Sequence, residues 1–141
     1  MKRCAPAAAY VPGSVRQRPS RLRWCIVSLG IIGCERSGFP ALCALGKEEP
    51  EIWDRIVEVF PVPCLGGVDE ETILRILLRC DTLLLVGCPP ASCRNAWGST
   101  LAEKRVARVS QLLEEAEIPK RVFCVFANPN RLGELKARVV V

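Results

Sequence analysis

No histidine occurs anywhere in the 141 residues, and that absence removes much familiar site chemistry. Ser-His and Cys-His nucleophile pairs, His-bearing zinc sites and Rieske-type ligation all need an imidazole. Acidic residues are missing from the first 24 positions, which carry Lys2, Arg3, Arg16, Arg18, Arg21 and Arg23. The formal charge of +5 therefore sits in that segment, and the remainder holds 14 basic against 15 acidic residues. A near-neutral body offers no broad basic face of the kind that nucleic-acid binding demands. The Cys-x-x-Cys spacing that depresses a thiol pKa is also missing.

What the chain does have is cysteine, nine of them. An odd count at scattered spacing, in a chain with an α/β pattern, argues against a secreted disulfide framework and for reduced thiols that bind metal. Half the residues are apolar, enough for one domain with its own core and too little chain for a second. Residues 1–23 carry Pro, Ala, Ser, Gly and Arg without a period and are expected to form a disordered basic tail, with the domain spanning 24–141. Ile31-Ile32-Gly33-Cys34 resembles a lipoprotein cleavage box, but the preceding basic segment is long and the apolar run short and interrupted. No membrane insertion is expected, and a cytoplasmic location is.

Leu83-Leu-Leu-Val86, cut off by Gly87 and followed by Cys88-Pro-Pro-Ala-Ser-Cys93, reads as a buried strand that opens into a loop bearing two thiols. Trp24 to Ile32, ending at Gly33-Cys34, repeats the arrangement, and Val57 to Pro63 followed by Cys64 repeats it again. Val122 to Phe126 makes a fourth strand. Helices are expected between them: Gly38 to Leu45 with Ser37 as a cap, and a turn or two from Glu49. Another starts at Asp69 with Ile73, Leu74, Leu77 and Leu78 inward, and a long one runs from Thr100 to Ala116 with Val106, Val109, Leu112 and Leu113 inward. Arg131 to Arg138 closes the series. Alternation of this kind predicts an α/β fold: a single open parallel sheet of about four strands with helices on both faces, flavodoxin-like.

In such a sheet Cys34, Cys64, Cys88 and Cys93 fall at one edge, a four-thiolate site built from three loops. Strand tips about 4.8 Å apart can bring these ligands together without distorting the sheet. Composition does not separate zinc from iron-sulfur, since both accept four thiolates. Cys25 and Cys124 within strands, and Cys43 and Cys80 on or beside helices, read as small hydrophobes, with Cys4 in the tail.

From Cys34 to about Ala137 the chain resembles the methyl-viologen-reducing hydrogenase delta subunit family. Val86-Gly87-Cys88-Pro89 and Cys93 resemble its Gly-Cys-His-Pro-Gly-Asp-Cys-His-Tyr, and Pro63-Cys64-x-Gly66-x-Val68 its Cys-Ser-Gly-Arg-Val. Gly98 with Glu103-Lys-Arg-Val106 resembles its segment before the long helix. Ser37 stands at a frequent family cysteine, Pro89 and Arg94 at frequent histidines, and Ser92 at an acid. The resemblance implies an electron-transfer subunit with a 2Fe-2S cluster on Cys34, Cys64, Cys88 and Cys93, without substrate chemistry of its own. Its partners would be hydrogenase or formate dehydrogenase subunits and a heterodisulfide-reductase-like flavoprotein. A structural zinc module, or a thiol redox protein using Cys88 and Cys93, are the alternatives.

Overall fold

The computed structural model describes residues 28–90, 93 and 97–139. The expected tail, Cys4, Cys25, Ser92 and Arg94 lie outside the described residues.

Alternating burial explains the sheet. Leu83 and Leu85 join Ile32 in one core cluster, while Leu84 and Val86 join Ile31 in the other. Side chains that alternate between two apolar layers are what a parallel sheet covered on both faces requires. The strands are β1 (Leu29–Cys34), β2 (Ile56–Val62), β3 (Thr82–Gly87) and β4 (Arg121–Phe126), all parallel, in the order β2-β1-β3-β4. This matches the first four strands of the flavodoxin-type order. β2 is an edge strand, which is where Pro61 is tolerated.

Helices α1 (Gly38–Glu48) and α4 (Gly133–Val139) bury Ala41, Leu42, Leu45, Leu135 and Val139 in the cluster on one face. On the other, α2 (Glu70–Leu77) and α3 (Gly98–Glu115) contribute Ile73, Ile76, Leu77, Ala102, Val106, Val109 and Leu113. Each fully buried Leu or Ile contributes about 1.5–3 kcal/mol. Two expected stripes are corrected: Leu74, Leu78 and Leu112 are exposed, and Ile76 and Ala102 take the inward places. A helix turns about 100° per residue, so Ile73, Ile76 and Leu77 share a face from which Leu78 is already rotated away.

The ends are locally determined. The Asp69 carboxylate accepts from the Thr72 N–H at 2.8 Å and caps α2, and hydrogen bonding from the Thr72 side chain first and its N–H second holds that carboxyl below its usual pKa. At the other end of α3, Glu117 has a φ of 57°, Glu117 N–H donates to Glu114 and Ile118 N–H to Leu113 before Pro119. That double bond pattern ends a helix in a left-handed residue. The segment expected as helix from Glu49 is a 3-10 turn, Pro50–Asp54.

Candidate thiol site

β1 and β3 lie side by side, yet the chain leaves β1 toward β2 on one flank and reaches β3 on the other. Connections diverge there, which opens a crevice at the carboxyl ends of the two strands. Cys34 is the last residue of β1 and Cys88 the first beyond β3, so both stand at that crevice. Cys34 was expected just past its strand; the structure extends β1 through Gly33 and Cys34 because both pair with β2.

The two sulfurs are 3.5 Å apart and buried. Cys64, beyond the tip of β2, opens a 3-10 turn, Leu65–Gly67. Cys93 belongs to the loop after β3. All four sequence-predicted cysteines line one recess of about 270 Å3, open mouth included, together with Arg36, Pro63, Leu65 and Ser99. None of the four is disulfide-bonded.

Backbone donors and close approaches arrange the sulfurs. Gly38 N–H, at the start of α1, donates to Cys34 Sγ at 3.3 Å, and Gly66 N–H donates to Cys64 Sγ at 3.4 Å. A Cβ on Gly38 would run into the carbonyl of Val86, so only glycine lets α1 begin so close to β3. A Cβ on Gly98 would stand 2.5 Å from Cys64 Sγ and 3.3 Å from Cys93 Sγ. Those two sulfurs therefore flank the first residue of α3. Ser99 Oγ donates to the Cys88 carbonyl at 2.6 Å, and Arg105 clamps the Cys64 turn through the carbonyls of Gly66 (2.5 Å) and Val68 (3.0 Å).

Cys34 and Cys88 thus form a close pair, and Cys64 and Cys93 line the same recess beside the first residue of α3. Thiolates bound at about 2.3 Å to a common tetrahedral metal stand roughly 3.8 Å apart, close to the Cys34–Cys88 separation. Among the described residues no three Cys, Asp or Glu side chains are gathered tightly enough to hold a single ion. Burial pushes the Cys88 thiol up to about 12, helped by the Cys34 hydrogen bond and by the neighbouring sulfurs of Cys34 and Cys93. A buried thiol beside other sulfurs resists becoming an anion unless a cation arrives with it.

Ser37 caps α1 by position, but its hydroxyl makes no cap bond; it donates instead to Ala127. Cys80 packs within the core cluster of α2 and α3 and Cys124 against it, as expected of small hydrophobes. Cys43 departs from that expectation, being disulfide-bonded. The helpers at the recess were only partly visible in the sequence. Gly98 and Arg105 stood in the resembling segment without a role, Ser99 read as part of a loop, and Gly38 as an ordinary helix start.

A family model described as methyl-viologen-reducing hydrogenase, delta subunit, matches residues 30–140. The chain belongs to this family. All four cysteines of the recess fall inside the matched span, as do Gly38, Gly98 and Arg105. As a member of the delta-subunit family the protein is of a hydrogenase-associated type, and its family name implies association with hydrogenase subunits. No curated protein matches the chain. No helix of the described residues is long and apolar enough to cross a membrane.

Proposed function

We infer that this delta-subunit family member is an electron-transfer component whose recess holds a 2Fe-2S cluster on Cys34, Cys64, Cys88 and Cys93. The observation that carries the reading is the convergence of these four thiols, none of them disulfide-bonded, on one recess, with the Cys34 and Cys88 sulfurs 3.5 Å apart. Four thiolates are the number a 2Fe-2S cluster takes, and membership of the delta-subunit family favours that cluster over a structural zinc. When bound, the cluster would supply one-electron transfer.

The chain's own residues do the rest. Cys34 and Cys88 release their protons on loading, so uptake is coupled to proton release. Gly38 N–H and Gly66 N–H donate to sulfur and hold charge on it, an interaction that tunes the potential of a thiolate-bound centre. Leu65 and Pro63 line the recess beside Cys64, limiting water there, while Arg36 lines it with a positive charge. Ser99 and Arg105 fix the loops that carry Cys88 and Cys64.

Such a component needs a donor and an acceptor. The donor in this proposal is a hydrogenase or formate dehydrogenase subunit and the acceptor a heterodisulfide-reductase-like flavoprotein. The alternative thiol chemistry, with Cys88 attacking and Cys93 resolving, is disfavoured because the Cys88 pKa is driven upward by burial, which makes it a poor attacking sulfur. Anaerobic purification with a visible spectrum and an iron and zinc count tests the reading. Two irons per chain and a thiolate-to-iron absorption are expected; stoichiometric zinc without iron overturns it.

A further inference from the structure

The Cys34–Cys88 pair has a second chemistry open to it whenever the recess carries no metal. We propose that these two thiols form a peroxide-oxidisable dithiol, closing to a Cys34–Cys88 disulfide that blocks metal loading until it is reduced. The clause about loading rests on the cluster reading; formation of the bond does not.

Two observations support it. The sulfurs are 3.5 Å apart, so each needs only a small side-chain rotation to close the remaining gap of about 1.5 Å to a disulfide bond. Their backbones belong to the paired ends of adjacent parallel strands, Gly33 lying opposite Val86 one and two residues before them. Cys34 is therefore level with Gly87, and Cys88 stands one residue further on; a strand spacing of about 4.8 Å and a rise of about 3.3 Å give a diagonal of roughly 5.8 Å, within the Cα separation of about 4.4–6.8 Å that disulfides use.

Burial selects the oxidant. Cys34 is 2% and Cys88 9% exposed, too little for an in-line approach by a bulky disulfide, whereas hydrogen peroxide is little larger than water. The Cys34 thiol sulfur attacks one peroxide oxygen, forming S–O as O–O breaks; the departing hydroxide takes the Cys34 thiol proton and leaves as water. Cys88 sulfur then attacks Cys34 sulfur, S–S forms as S–O breaks, and the second hydroxide leaves as water with the Cys88 proton. Two thiols lose two electrons in all, and one peroxide is reduced to two waters.

The test uses the full chain, freed of metal with chelator and reductant, then treated anaerobically with one equivalent of hydrogen peroxide and mapped by non-reducing proteolysis and mass spectrometry. The expected product is a peptide pair joining Cys34 to Cys88, absent in Cys34→Ser and in Cys88→Ser and retained in Cys80→Ser. Oxidised glutathione, offered in parallel, should leave both cysteines alkylatable. A product confined to Cys64 and Cys93, or a glutathione adduct on Cys34 or Cys88, overturns the assignment. The oxidised chain is then supplied with ferrous iron and sulfide, with and without a dithiol reductant. Loading only after reduction supports the block, and equal loading without reductant overturns it. If neither the reduced nor the oxidised chain takes up iron, the cluster reading and the block fall together while the mapped bond still stands or falls alone.

Discussion

The hydroxyl of Ser37 donates to the carbonyl of Ala127 at 2.6 Å, joining the turn after β1 to the residue after β4 across 90 positions of sequence. Ser37 is buried and is not among the residues lining the thiol recess. The position at which family resemblance suggests a fifth cysteine therefore serves here as a tie between two loops.

Ser37→Ala should leave the Ala127 carbonyl without this donor and cost about 1–2 kcal/mol in denaturant unfolding, with metal content per folded chain unchanged. Ser37→Cys should likewise add no ligand, because the side chain is directed to Ala127. An increase in iron per chain for Ser37→Cys would show that this side chain reaches the recess.

Ligand thiols and packing thiols should separate cleanly by substitution. Cys34→Ser or Cys88→Ser is expected to lower iron content and visible absorbance at least tenfold, since a hydroxyl is a poor replacement for thiolate on a soft centre. Cys80→Ser should leave the spectrum intact, because Cys80 sits in the core with its sulfur directed to the Ile76 carbonyl at 3.5 Å. Its cost is to stability alone, about 1 kcal/mol. Iron retained in Cys88→Ser would remove the central pair from the site.

The sheet was legible because strand burial and strand ends are written locally. Leu83 to Val86 is continuous in apolar residues, Gly87 ends it, and the same grammar recurs at Gly33-Cys34 and Cys64. That repetition also gave all four cysteines of the recess. The pairing of sulfurs was not legible, since it depends on strand order: Cys34 meets Cys88 because β1 is flanked by both β2 and β3, and no local pattern encodes that order. Gly98 was opaque for a similar reason. Its requirement comes from sulfurs that approach from two other loops. The helix stripes failed at Leu74, Leu78 and Leu112, where leucine was read as inward on hydrophobicity alone although helical angle turned it outward.

Gly98 provides a sharp steric test. Gly98→Ala places a methyl 2.5 Å from Cys64 Sγ and 3.3 Å from Cys93 Sγ, so both thiols must move. Iron retention should fall severalfold, with a stability loss of about 1–3 kcal/mol from overpacking. Gly67→Ala is the control, since a Cβ there meets nothing within 4 Å and its φ is not positive. That change should be neutral or stabilising by up to about 1 kcal/mol. Equal iron content in the two variants would mean that the Cys64 and Cys93 sulfurs do not depend on the gap at Gly98.

The pH dependence of the metal-free chain follows from a half-buried thiol outside the recess as well as from Cys88 within it. Burial pushes Cys124 up from 9.0 to about 12, with the negative charges of Glu103 and Glu134 adding to it. Because the folded pKa lies above the unfolded one, the native state keeps this proton after the unfolded chain has lost it. The resulting stability is complete below pH 9 and disappears as pH rises from there to about 12. Its full size is on the order of a few kcal/mol at most. Cys124→Ala lowers stability by a pH-independent packing term but removes this titration, so its unfolding free energy should decline less steeply over that alkaline range. Cys88, also raised to about 12, leaves a residual slope in the variant. Parallel curves for the two proteins, measured by urea unfolding from pH 8 to 11, would show that Cys124 ionises as readily folded as unfolded.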